Sequence, residues 1–278
     1  MSRTRRFLLA LLALPTLWLL LVALLWWRQE ALLFHPQSLP ADAVLATAPD
    51  VHERTVAVPG ATLSVLELRL PQPRGVVFYL HGNAGSLKTW FVNLEPFRRA
   101  QLDLVMMDYR GFGKSTGRIR SEAELHSDVR AVWQAVAPRY EGKPAVFFGR
   151  SLGTGLATRL AAELQPALTV LVSPYQSLQR LAEEHYPWVP GAILRYPMRS
   201  DQWIADIRGP VLLLHGEQDT LIPIAHGRAL QGLAAQARLV PIPGAGHNDL
   251  HQHPVYRQAL DEALAAAAPA PRAELRQP

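Results

Sequence analysis

The ten residues Val146-Phe147-Phe148-Gly149-Arg150-Ser151-Leu152-Gly153-Thr154-Gly155 constrain this chain more than any others. An apolar run short enough for a buried strand passes through Gly-x-Ser-x-Gly into a segment of small residues, and that order needs a sharp strand-to-helix turn. Glycines two positions either side of Ser151 remove the Cβ atoms that would block such a turn. A strand feeding a helix in this way belongs to a parallel sheet covered by helices, and the rest of the chain repeats the pattern. Strands are predicted at Thr55–Val58, Leu63–Leu70, Val76–Leu80, Leu104–Asp108, Ala145–Phe148, Leu168–Val172, Val211–His215 and Leu239–Ile242. Helical spacing covers Glu122–Val136, Gly153–Leu164, Ile224–Leu233 and Val255–Ala267.

The expected architecture is therefore α/β: an eight-stranded, mostly parallel sheet with helices on both faces. With 49% hydrophobic and 18% charged residues, 278 residues can bury the core of one large domain. We place that domain at residues 51–267. The stretch 176–206, rich in aromatics and proline, is too long for a simple crossover and reads as a small cap. Residues 268–278 mix Pro, Ala and Arg without an apolar period and read as a disordered tail.

Ahead of the domain, Phe7 to Trp27 carries no charge and is interrupted only by Pro15 and Thr16. At ~1.5 Å per helical residue such a run matches the ~30 Å hydrocarbon core of a bilayer. Trp26 and Trp27 end it beside Arg28, where indoles favour the interface, and Arg3, Arg5 and Arg6 precede it. The expectation is a transmembrane signal anchor at 7–27, a cytoplasmic N-terminus at 1–6 and a linker at 28–50. The positive-inside bias then puts the large domain on the non-cytoplasmic side of a bacterial-type inner membrane. A cleaved signal peptide is the competing reading. Its apolar region would be shorter and closely followed by small residues, whereas the first Ala-x-Ala here is Ala41 to Ala43.

The net charge of +5 comes from basic residues scattered between apolar runs, which argues against a nucleic-acid partner, and the absence of cysteine excludes disulfides, thiolate chemistry and Cys-ligated zinc. A serine hydroxyl is a weak nucleophile that needs a base held in one tautomer by a carboxylate. After Ser151, the strand Val211–His215 runs into a loop holding Asp219, with Glu217 as a nearby rival. The strand Leu239–Ile242 then runs into Pro243-Gly244-Ala245-Gly246-His247, a loop free enough to bring an imidazole back over the sheet. The candidate catalytic residues are Ser151, Asp219 and His247.

His81-Gly82-Asn83-Ala84-Gly85 follows the third strand and suits a loop that lends a backbone amide to an oxyanion. We assign that hole to the N–H groups of Asn83 and Leu152, with His81 as a structural hydrogen-bonder beneath the loop. Gly113-Lys114-Ser115 fails as a phosphate loop, because the first glycine of Gly-x4-Gly-Lys-Ser would fall at Asp108. His247, His251 and His253 lack the His-Glu-x-x-His arrangement of a metal helix. No metal or organic cofactor is required.

Through His81–Gly85, Asp108-Tyr109-Arg110-Gly111-Phe112-Gly113, Gly149–Gly153, Asp219 and Gly246-His247, the chain from Val51 to Ala267 resembles the α/β-hydrolase superfamily. Within it, the chain looks most like small-capped, membrane-anchored serine hydrolases, some labelled serine aminopeptidase-like. That resemblance implies hydrolysis of an ester or thioester, less often an amide. An apolar cap beside an anchor favours a small acyl ester or a lipid as substrate. The alternatives are a peptidase acting on amides and a silent hydrolase fold used for binding.

Overall fold

The computed structural model describes residues 3–268, with side chains described from Leu12 onward. The expectations for a disordered tail and for the extreme N-terminus fall largely outside those residues. Helix α1 (Arg3–Trp27) leads into α2 (Gln29–Leu33) and a two-residue strand, β1 (His35–Pro36). Then come β2 (Val51–Val58), β3 (Ala61–Leu68), β4 (Gly75–Leu80), the short β5 (Ala84–Gly85), α3 (Leu87–Trp90), α4 (Glu95–Arg99) and β6 (Leu102–Met107). The second half alternates α5 (Glu122–Val136), β7 (Ala145–Arg150), α6 (Leu152–Leu164) and β8 (Leu168–Val172). After it follow α7 (Leu178–His185), α8 (Ser200–Trp203), β9 (Val211–Gly216), α9 (Ala225–Leu233), β10 (Ala237–Ile242) and α10 (Pro254–Ala267).

Eight strands form one sheet in the order β10-β9-β8-β7-β4-β6-β3-β2. β2 and β3 form an antiparallel hairpin, and β3 lies antiparallel to β6. From β6 to β10 every pairing is parallel. Both faces of the central strands are buried, so they read as continuous apolar runs without alternation. On β7, Phe147 faces a core built with Val129 and Val132 of α5 and Leu156 and Leu160 of α6. Val146 and Phe148 point the other way, to Phe97 of α4 and Leu260 and Leu264 of α10. Helix α5 starts at a cap whose Ser121 hydroxyl accepts from the Glu124 amide at 3.1 Å, and acidic Glu122 and Glu124 occupy its first turn.

One feature differs from the sequence expectation. The segment 28–50, read as a linker, is built into the domain: β1 pairs in parallel with β5, His35 against Ala84 and Pro36 against Gly85. Gln37 N–H then donates to Gly85 O at 2.8 Å and Leu39 N–H to Gly113 O at 2.8 Å. Phe34 is buried, edge-on to Tyr196 with ring centroids 5.2 Å apart. A two-residue strand containing proline has no periodicity to read, and its partner lies some fifty residues away. As to α1, among the described residues no helix is long and apolar enough to cross a membrane. The uncharged run of α1 begins at Phe7, before the first described side chain.

Candidate active site

The strand-to-helix turn predicted at Ser151 is present and strained. Ser151 has φ 51° and ψ −119°, in a region that L-residues rarely occupy. Residues held in such conformations store about 1–3 kcal/mol, which the surroundings must overcome. They do so here by close packing. A Cβ on Gly149 would lie 2.5 Å from Gly153 O, and one on Gly153 would lie 2.0 Å from Leu80 O. The Ser151 amide is fixed to Val172 O at 2.9 Å, and its carbonyl accepts from the Thr154 hydroxyl at 2.7 Å.

The loops after β9 and β10 bring the other two candidates to this serine. His247 Nε2 stands 3.1 Å from Ser151 Oγ, and His247 Nδ1 stands 2.8 Å from Asp219 Oδ2. Asp219 is buried, and its second oxygen accepts from the amides of Leu221 at 3.0 Å and Ile222 at 2.8 Å. Burial alone would raise this carboxyl. The His247 hydrogen bond and the Ile222 amide outweigh it and hold Asp219 below the ordinary carboxylate value. Glu217, the sequence rival, is exposed. The loops are stitched together by Gln218 N–H donating to Ala245 O at 2.9 Å, and the tight approach excludes a side chain at Gly216, whose Cβ would lie 2.4 Å from that same carbonyl.

Three residues that sequence reasoning did not single out support this arrangement. His215 is fully buried at the end of β9 and bonds through Nε2 to Ile222 O at 2.7 Å, clamping the turn that presents amides to Asp219. Burial pushes its imidazole below the ordinary histidine value, so it is neutral and Nε2–H is the donor. A histidine inside the otherwise apolar strand Val211–Gly216 was the available signal. Arg150, between Gly149 and Ser151, donates to His247 O at 3.3 Å and lies over the Trp90 ring, 5.3 Å from its centroid. Trp90 Nε1 in turn donates to Ala84 O at 2.6 Å, bracing the loop that holds Asn83.

That loop lies against the nucleophile: a Cβ on Gly82 would be 3.7 Å from Ser151 Cβ and 3.0 Å from the Trp90 ring. Neither the Asn83 nor the Leu152 N–H is taken up by a protein acceptor among the described residues. Leu152 is the first residue of α6, so its amide points along the positive end of that helix. Its carbonyl accepts from Tyr175 Oη at 2.8 Å. His81 is fully buried under the loop, with Nδ1 2.7 Å from Gly82 O, and Tyr109 Oη donates to His81 O at 2.8 Å. Lys114 of the Gly-Lys-Ser sequence donates to Ala43 O at 2.9 Å and pairs with Glu53, and Ser115 Oγ donates to Asp108 O at 2.8 Å. Both side chains thus hold the turn after β6 in place.

A strained serine between a parallel strand and a helix, followed by aspartate and then histidine in chain order, defines a serine hydrolase of α/β architecture. Comparison with known proteins agrees. Residues 71–200 match the family model described as "Serine aminopeptidase, S33", and residues 195–254 match "alpha/beta hydrolase fold". An uncharacterized protein of Mycobacterium tuberculosis is 31% identical over 238 residues, covering 82% of this chain and 83% of its own. Alpha/beta hydrolase domain-containing protein 17B of Xenopus laevis is 30% identical over 201 residues, 70% of this chain and 68% of that protein. Among solved structures, an esterase of Pyrococcus furiosus superposes with a TM-score of 0.67 at 17% identity, covering 85% of this chain and 98% of that one. A Butyrivibrio proteoclasticus protein with ferulic acid bound gives 0.66 at 19%, covering 77% and 98%. The chain belongs to the α/β-hydrolase family.

Proposed function

We propose that the protein hydrolyses an acyl ester or thioester through an acyl-enzyme on Ser151. His247 Nε2 takes the hydroxyl proton as Oγ attacks the carbonyl, and Asp219 holds Nδ1–H and stabilises the imidazolium that forms. The N–H groups of Asn83 and Leu152 receive the oxyanion, each such donor being worth about 3 kcal/mol in a water-poor site. His247 then protonates the leaving group, and water releases the acyl chain by the reverse sequence. The observation that carries this reading is the unbroken relay from Asp219 through His247 to a serine at φ 51°.

The reading includes α1 as a membrane anchor. Its uncharged run, its basic start and its two terminal tryptophans support a single crossing, with the domain on the non-cytoplasmic face of an inner membrane. A substrate with an acyl chain then lies within reach of the site.

The test is hydrolysis of p-nitrophenyl esters from acetate to palmitate by the full chain in liposomes, beside Ser151→Ala. Activity confined to the unaltered chain assigns the nucleophile, and its chain-length profile assigns the acyl group. The matching model's description as a serine aminopeptidase favours one second reading, cleavage of amides. Turnover of aminoacyl amides with none of acyl esters would select it.

A further inference from the structure

Nine successive residues of the cap, Tyr186-Pro-Trp-Val-Pro-Gly-Ala-Ile-Leu194, carry no charge, and they contact α1 at one end and α2 at the other. Their register is fixed at both ends. Near the far end, Trp18 Nε1 donates to Trp188 O at 3.1 Å. At the near end, Gln29 Nε2 donates to Ile193 O at 2.7 Å while Gln29 Oε1 accepts from Arg195 N–H at 2.8 Å. Charge resumes immediately after the tip: the Arg195 guanidinium pairs with Glu30 at 2.8 Å and lies 5.5 Å from the centroid of Trp26. The cap tip therefore climbs α1 from its exit, marked by Trp26, Glu30 and Arg195, back to Trp18. At ~1.5 Å per residue, that climb is about 13 Å.

We propose that the segment Tyr186–Leu194 is a second membrane-inserted element, a wedge that enters the outer half of the bilayer beside α1. The reading rests on α1 being the anchor: if α1 crosses, whatever lies beside Trp18 is below the interfacial tryptophans and inside the hydrocarbon, since half of a ~30 Å core is ~15 Å. The chemistry of the tip suits that depth. Tyr186 is 57% and Trp188 47% exposed, an unusual display of aromatic surface unless apolar matter covers it. An apolar medium favours internal partners for backbone donors. Pro187 and Pro190 have no donor to satisfy. Of the other seven N–H groups, four are bonded: Tyr186 to Ala182 O at 2.8 Å, Val189 to Tyr186 O at 2.9 Å, and Ile193 and Leu194 to Pro190 O and Gly191 O, both at 3.1 Å; those of Trp188, Gly191 and Ala192 have no protein acceptor among the described residues.

The segments that follow α1 and precede the cap are also tied to both proposed oxyanion residues. From the anchor side, Asn83 Nδ2 donates to Leu33 O at 3.2 Å. From the cap side, Tyr175, just before the cap, donates to Leu152 O. Insertion would thus bring the site to the bilayer surface, and the substrate class it selects is an acyl ester or lipid resident in the membrane that enters laterally.

The chain has no cysteine, so single-cysteine variants of the full protein can carry one environment-sensitive nitrobenzoxadiazole label. Ala192→Cys and Tyr186→Cys report the tip. Glu141→Cys, exposed ahead of β7 at the opposite end of the sheet from Ser151, is the control. Each is reconstituted into phosphatidylcholine–phosphatidylglycerol vesicles and quenched by acyl-chain-brominated phosphatidylcholine or by aqueous iodide. Expected are blue-shifted emission, quenching by brominated lipid and shielding from iodide at 192 and 186, with the reverse at 141. Tip labels that behave like the control, or a chain that alkaline carbonate strips from the vesicles, would overturn the wedge. Fluorophosphonate labelling of the same samples reads Ser151 separately: a buried tip with an unreactive serine counts against the hydrolase reading and leaves the wedge standing.

Discussion

Asn83 and Leu33 are joined by a hydrogen bond, Nδ2 to carbonyl at 3.2 Å, and a second strand of the same contact returns from His35 N–H to Asn83 O at 2.8 Å. The residue assigned to receive the oxyanion is therefore held by the segment that leaves α1, not by the sheet alone. Replacing Asn83 by Ala keeps the backbone N–H but releases the loop from Leu33. A neutral hydrogen bond is worth about 1 kcal/mol, so kcat on a short ester should fall roughly fivefold with KM little changed. Steady-state kinetics of the variant decide it; an unaltered kcat would show that β1 and β5 pairing suffices.

The relay makes a sharper prediction. Asp219→Asn preserves the shape of the site but presents an amide to His247 Nδ1, which can leave the imidazole in the tautomer whose Nε2 is protonated and cannot accept from Ser151. The expected loss in kcat is on the order of 10³–10⁴, with substrate binding retained. Glu217→Gln, on an exposed side chain two residues away, should stay near the parent rate. Equal losses in both variants would mean the acid has been assigned to the wrong carboxylate.

What could be read in advance follows from which forces are local. The central strands were legible because strands buried on both faces must be apolar, and the nucleophile because a strained turn demands its glycines; the edge strands β2 and β10 are partly exposed and carry a weaker apolar signal. Asp219 and His247 were legible through their order after two recognisable strands. The strap at His35–Pro36 was not, because two residues carry no period and pairing with Ala84–Gly85 is decided by tertiary contact. Arg150 and His215 were overlooked for a related reason: each acts through a backbone carbonyl, of His247 and of Ile222, and a carbonyl leaves no mark in a sequence.

Glycines around the elbow should differ in tolerance by what surrounds them. A Cβ at residue 153 meets the Leu80 and His81 carbonyls at 2.0 and 2.7 Å, and both belong to the backbone that carries the oxyanion loop. Gly153→Ala must displace α6 or that loop, a cost at or above the roughly 1–3 kcal/mol typical of overpacking, and should also depress kcat. Gly142 has φ +74°, and a methyl group there would have nothing within 4 Å of it. Its alanine variant should lose only the roughly 1–2 kcal/mol of left-handed backbone strain, and no activity. Thermal melts with matched kinetics separate the two; comparable melting temperatures would show that the elbow yields more easily than its contacts indicate.

Stability should decline on the acid side through buried histidines. Burial pushes His126, His215 and His226 below the ordinary histidine value of 6.5, in each case outweighing a nearby carboxylate. In the unfolded chain these imidazoles return to about 6.5, so below that pH the unfolded state binds more protons than the native one. Stability is complete above pH 6.5 and is lost as pH falls towards the depressed folded values. His226 makes the cleanest probe, since it lies on α9 facing α7, with Nε2 3.1 Å from Glu184 Oε2 and Nδ1 accepting from Gln176 N–H at 3.3 Å. It joins the cap to the body of the domain and takes no part in the relay to Ser151. His226→Gln should lower the melting temperature at pH 8 yet flatten its fall between pH 7 and pH 5, measured by thermal denaturation across that range. A slope equal to the parent's would assign the acid sensitivity to His126 and His215 instead.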